Sequence, residues 1–106
     1  MSNVSQIPYV WAATPKGSKT ADAASWDDDS GALDLGASHS FERIRVAAVE
    51  DTWIVLNNAS ATFSGTEGEF VPAGSALMFD CAGLRYVHYK TVSVSGKISF
   101  GAYYTT

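Results

Sequence analysis

From Leu33 onward, apolar and polar residues alternate in short runs broken at glycine, proline or asparagine, the period-2 signature of half-buried strands. The densest stretch is Phe41 to Leu56, two β-rich runs separated by Glu50 and Asp51. Treated as a hairpin with a two-residue loop, it sets Val46 against Val55 and small Ala48 against bulky Trp53 on one face, with Ala47 opposite Ile54 on the other. Both faces are apolar near the centre, which fits a strand pair covered by a core on one side and by a second layer or a partner on the other. This pattern places Ile44, Val46, Trp53 and Val55 in the core, with Trp53 filling its middle.

The end of the chain reads as a second hairpin, Thr91 to Tyr104. A loop of Ser95, Gly96 and Lys97 pairs Val94 with Ile98, Ser93 with Ser99 and Val92 with Phe100, whereas a two-residue loop sets apolar against polar throughout. Tyr89 and Tyr103 then become cross-strand neighbours. Between the hairpins, Pro72-Ala73-Gly74 makes a tight turn, because proline fixes one dihedral and glycine supplies a positive one. Leu77, Phe79 and Cys81 share the inner face of the next strand. Leu84 to Lys90 forms another, with Val87 and Tyr89 on one side and Tyr86 and His88 on the other. No window of about ten residues carries helical spacing. The expectation is an all-β single domain over residues 1–106, a β-sandwich or jelly roll of about eight short antiparallel strands.

Residues 1–32 differ from the rest. They are rich in Ser, Ala, Thr and Asp, and Pro8 and the Thr14-Pro15-Lys16-Gly17 turn interrupt them. Their isolated aromatics Tyr9, Trp11 and Trp26 suit an N-terminal arm docking on a neighbour, or an edge segment of the domain's own sheet, with residues 33–106 as the body. The arm reading makes Tyr9, Trp11 and Trp26 interface anchors.

Composition sharpens this. The chain of 106 residues is 46% hydrophobic yet only 17% charged, so a compact sandwich or a surface buried in an assembly is expected. A net charge of -4 with seven scattered Lys and Arg excludes a grip on nucleic acid. The opening MSNVSQIPYV lacks a basic start followed by an apolar run, and about 18 consecutive apolar residues occur nowhere, so neither membrane insertion nor a secretory signal is expected.

Candidate chemistry is sparse. Cys81 is the single cysteine and reads as a small buried hydrophobe. Asp27-Asp28-Asp29 invites a calcium reading, but numbering from Asp27 puts Ala32 where an EF-hand loop needs glycine and Ser38 where it needs glutamate. A solvated acidic turn is expected, with no metal and no cofactor. His39 lies between serines and His88 alternates with Tyr86; no nucleophile elbow or phosphate loop accompanies them, so no catalytic residues are assigned and no enzyme is expected. Trp11, Trp26, Trp53, Tyr86, Tyr89, Tyr103 and Tyr104 could make a sugar platform, although strand aromatics are more often core.

The order Ile44-Arg45-Val46, acidic turn, strand ending in Leu56, Val71-Pro72-Ala73-Gly74 before Met78-Phe79, and Val92-x-Val94-x-Gly96-Lys97-Ile98 resembles small tailed-bacteriophage virion structural proteins across Phe41 to Phe100. The resemblance implies a β-sandwich that coats or cements a capsid. Its partner would be the major capsid protein or another virion protein, in a homo-oligomer with a trimer favoured, made in the host cytoplasm and carried in the virion. A neck, tail or fibre-attachment component and a carbohydrate-binding β-sandwich module are the alternatives.

Overall fold

The computed structural model describes residues 14–104, which form eight strands and no helix. They are β1 (Thr14–Ala21), β2 (Leu33–Asp34), β3 (Arg43–Ala48), β4 (Thr52–Asn57), β5 (Glu69–Val71), β6 (Ala76–Asp80), β7 (Tyr86–Thr91) and β8 (Gly96–Tyr103). Two antiparallel sheets result, ordered β1-β8-β3-β6 and β2-β7-β4-β5. The first strand pairs with the last, the second with the seventh, the third with the sixth and the fourth with the fifth. That is the rolled, double Greek-key pairing of a jelly roll.

Alternation explains the core. Ile44, Val46 and Ala48 from β3 and Ile98, Phe100 and Ala102 from β8 face Ile54 of β4 and Val87 and Tyr89 of β7 across the sheet interface. Leu33, Leu35, Phe41, Val71 and Cys81 close its margins. Each large side chain removed from water contributes about 1.5 to 3 kcal/mol.

Neither expected hairpin forms. β3 and β4 lie in opposite sheets, and so do β7 and β8. Val46 pairs with Phe100 on one side and Leu77 on the other, while Val55 pairs with His88. Ile98 pairs with Ala48 and Lys19 instead of Val94. The complementary volumes of Ala48 and Trp53 pointed to neighbours because register arguments assume adjacency. In the rolled pairing, consecutive strands instead bridge the sandwich, and β4 with β5 is the pair joined directly in sequence.

This changes which residues are core. Ile44 and Val46 are fully buried, and Phe79 is half-buried against the core. Trp53 and Val55 are not in the core. They lie half-buried on the outer face of β4, where Trp53 packs beside Phe70 with ring centroids 5.2 Å apart. Thr52 and Ile54 take the inner positions. Leu77 is largely exposed because β6 is an edge strand. Tyr89 and Tyr103 sit in different sheets.

β1 is an edge strand of the first sheet, paired with β8 over Thr14–Ala21; Tyr9 and Trp11 lie outside the described residues. The Pro72–Ser75 turn is present, with the Ser75 amide donating to the Pro72 carbonyl at 3.1 Å and Gly74 at a φ of 76°. That dihedral favours glycine, since a Cβ there is strained.

Ile54→Ala should therefore cost about 2 to 5 kcal/mol, the range for truncating a buried aliphatic side chain. Trp53→Ala should cost less than Ile54→Ala, because Trp53 is only half-buried whereas Ile54 is fully buried. Urea unfolding midpoints of the two variants check this order; the reverse order would return Trp53 to the core.

Candidate functional site

Three features carry polar chemistry or unsatisfied surface: a buried histidine clasp, a bare sheet edge and an apolar loop end. The clasp begins with the link between β1 and β2. Asp27 adopts a left-handed φ of 56°, a sparsely populated conformation for a residue with a side chain, as does Ser30 at 62°. Asp27 is held there from all sides. Its amide donates to the Tyr89 carbonyl at 2.9 Å, and its carboxylate accepts from the Tyr89 amide at 3.1 Å and the Phe63 amide at 3.4 Å. The same carboxylate faces His88 Nδ1 at 2.6 Å, both side chains being fully buried.

The other ring nitrogen, His88 Nε2, faces Asn57 Oδ1 at 2.8 Å and the Ala59 carbonyl at 3.1 Å. Asn57 Oδ1 is fixed as an acceptor because it also receives the Ala59 amide at 3.0 Å. Both ring nitrogens thus face oxygen atoms at hydrogen-bond distance, and neither is open to solvent. Trp26 and Phe63 cap the cluster edge-to-face at 4.8 Å, and Phe63 lies 5.6 Å from the His88 ring. Trp26, expected at an interface, is buried here within its own domain.

Tyr89 continues the clasp from the inner face. Its hydroxyl accepts from the Asp29 amide at 3.1 Å and lies 2.9 and 2.8 Å from the Asp29 and Gly31 carbonyls. Burial, with help from the nearby aspartates, pushes its phenol up to about 12. Asp29 in turn accepts from the Thr20 amide at 2.8 Å, and its carbonyl accepts from Lys19 Nζ at 2.8 Å. The acidic triplet is therefore not a simple solvated turn: Asp28 is exposed, while Asp27 and Asp29 tie β1 to β7. Chemically the cluster can lock a loop. A general base needs a nitrogen lone pair within reach of a substrate proton, and here both nitrogens of a fully buried ring are occupied.

The remaining titratable candidates are also structural. His39 Nδ1 accepts from the Phe41 amide at 3.1 Å, leaving Nε2 to donate to the Leu84 carbonyl at 2.6 Å. Burial raises the Cys81 thiol to about 11, away from the thiolate. On the surface, Arg85 grips Asp34 in a two-pronged pair at 2.7 and 2.9 Å and lowers its carboxyl to about 2. Among the described residues no group of three His, Cys, Asp or Glu converges as metal ligands.

The sheet edges are unequal. β1 carries Pro15, which has no N–H to offer, a register shift between Pro15 and Gly17, and two lysines. β2 is two residues long, and β5 is three residues opening with Glu69. Such devices keep an edge from pairing with another chain. β6 carries an apolar run, Ala76-Leu77-Met78-Phe79, in unbroken register on β3 and ends in Asp80, which pairs with Arg43; among the described residues no strand lies beyond it. Leu77 and Met78 are 38% and 37% exposed.

Beside β6 the sandwich is open. β5 pairs only with Thr52–Ile54, so the far half of β4 has no strand on that side, and a groove of about 500 Å³ remains. Its walls are Ile54, Val55, Leu56, Phe63 and Phe79; its rim carries Glu67, Glu69 and Asp80, the last paired with Arg43. At one end of the sandwich, three linked loops display Val49, Val92 and Val94, exposed at 60%, 44% and 52%. Their backbones are tied together: the Val92 amide donates to the Asp51 carbonyl at 2.9 Å, the Ala73 amide to Asp51 Oδ1 at 2.8 Å and the Gly74 amide to the Ala48 carbonyl at 2.9 Å.

The fold and these features define a jelly-roll domain with a locked flank and a bare edge. No family model, characterised protein or solved structure matches the chain.

Two outcomes follow from the polar contacts. Asp27→Asn, which breaks a buried pair on one side, should cost about 3 to 5 kcal/mol, whereas exposed Asp28→Asn should stay within about 0.5 kcal/mol; chemical unfolding of both variants would contradict the clasp if their midpoints coincide. Asp34 should titrate near 2 by carbon-detected NMR and return toward its ordinary value of 3.8 in Arg85→Gln. Because its folded value is depressed, the pair's stabilisation is present above the unfolded value and is lost as pH falls through about 2. An unchanged Asp34 titration in Arg85→Gln would contradict this.

Proposed function

We propose that the chain is a structural protein of a tailed-bacteriophage particle, a capsid decoration or cement protein that stabilises the shell through subunit contacts. The observation that carries this reading is the apolar loop end, where Val49, Val92 and Val94 stand exposed on loops already fixed by backbone hydrogen bonds. A preordered apolar surface docks without the entropic cost of arranging loops. The resemblance of Phe41 to Phe100 to small virion proteins supports the particle as its setting. A subunit bridging two shell units binds only the assembled state, so its binding shifts the equilibrium toward that state. Copy number per particle separates a shell position from a neck or tail position.

A second reading, carbohydrate binding, has one observation in its favour. Trp53 and Phe70 form a partly exposed aromatic pair on the outer face of the second sheet, although their 56° interplanar angle makes no flat platform. Glycan-array binding lost in Trp53→Ala would favour it.

The test of the main reading is occupancy on particles stripped of the protein. Replacing Val92 and Val94 together by Asp should lower occupancy at least about tenfold, as expected when apolar anchors at an interface are lost, while leaving the unfolding midpoint near that of the parent. Unchanged occupancy would move the contact away from the loop end.

A further inference from the structure

We infer that the open side of the sandwich beside β4 is a docking groove for a peptide segment of a partner protein in which an apolar side chain is flanked by lysine or arginine. The groove lies toward the Leu56 end of β4, away from Val49 and the loop that precedes Thr52. It is therefore a separate surface from the apolar loop end, and it stands whether or not the particle reading does. Its volume of about 500 Å³ falls within the range of pre-formed ligand sites.

The walls are apolar and already built. Phe63 is held by Trp26, edge to face at 4.8 Å, and by the His88 ring at 5.6 Å, and a Cβ on Gly65 would overlap its ring. At the other end of the same loop, a Cβ on Gly68 would come within 2.9 Å of the Ile54 carbonyl oxygen and 3.2 Å of the Val55 side chain, so the loop lies tight on β4. Leu56 and Phe79 line the groove and pack against the core cluster. An apolar side chain inserted here extends the core, and no loop has to be ordered to receive it.

Main-chain and charged groups narrow the occupant further. Tyr89 bonds its amide and carbonyl to Asp27, so its register partner Ile54 turns its own toward β5. Leu56, two residues on, points the same way, but β5 begins at Glu69, opposite Ile54, and among the described residues no strand faces Leu56 there. A peptide thus finds one donor and one acceptor beside the apolar pocket. At the rim Asp80 is met by Arg43, whereas exposed Glu67 and Glu69 have no hydrogen-bond or ion-pair partner among the described residues. No Lys or Arg lines the groove. An acidic peptide is repelled by these carboxylates, and one with Lys or Arg beside its buried side chain complements them.

The experiment is an NMR titration of the full-length protein with acetyl-Lys-Leu-Lys-amide. Saturable shifts should appear at the amides of Leu56, Gly68 and Phe79, with a dissociation constant of roughly millimolar size for so small a ligand. Serine in place of the peptide's leucine should weaken binding at least about tenfold, and glutamates in place of its lysines should abolish it. In the protein, Glu67→Gln with Glu69→Gln should weaken the lysine peptide at least about threefold. Both positions are exposed, and an unchanged unfolding midpoint shows that the variant folds. Hexylammonium, an apolar chain with a charge but no main chain, should bind at least about tenfold more weakly than the peptide. No saturable shift in the groove, a serine or glutamate peptide that binds as the parent peptide does, a folded glutamine variant with unchanged affinity, or hexylammonium as tight as the peptide would overturn the inference. None of these readouts involves Val92 or Val94, so failure here and failure of particle occupancy are told apart.

Discussion

The carboxylate of Asp27 holds together parts of the chain that no local signal connects. It meets His88 and Tyr89 on β7 and the Phe63 amide in the link between β4 and β5, while its own backbone stays in a left-handed conformation. Strain of this kind persists only where surroundings over-determine it. The interaction ties the loop after β1 to β7 of the second sheet, where Trp26 and Phe63 pack edge to face beside it. A buried polar network whose members are hydrogen-bonded rigidifies the segments it joins, and removing one member leaves its partners buried without one.

Much of the fold was legible in the sequence, and the reason it stops where it does is physical. Alternation located β3, β4, β6, β7 and β8, and named Ile44 and Val46 as core, because inner-face burial is a property of one strand at a time. Pairing is a property of two strands. In a rolled arrangement the partners of β8 are β1 and β3, so register drawn from sequence neighbours produced two hairpins that do not exist. Trp53 was misplaced for the same reason: its inward assignment followed from the false hairpin.

The clasp was less legible still. Asp27 and His88 are 61 positions apart, and an aspartate triplet before Ser-Gly reads as solvent-facing until the strand that buries it is known. One signal was available: a histidine flanked by Val87 and Tyr89 in a strand needs partners for both nitrogens once buried, and the acidic triplet is the densest supply of acceptors. The bare edge of β6 was equally readable in composition, since Ala76 to Phe79 lacks charge and proline, but an edge is defined only by sheet order. The result is a division of labour, with most of the interior's polar groups occupied in holding loops, the buried Thr91 hydroxyl being an exception, and the unsatisfied surface concentrated at β6 and the Val49 end.

Backbone amide hydrogen exchange of the full-length protein, followed by NMR or mass spectrometry at low and high protein concentration, tests that division most directly. Amides of Asp27, Tyr89 and the strands they join should be protected at every concentration, because their bonds are internal to one copy. Amides of β6 that point away from β3 should exchange quickly, because among the described residues no strand lies beyond that edge. Rapid exchange at Asp27 and Tyr89, or protection of the outward amides of β6 equal to that of β3 and β8, would contradict the account.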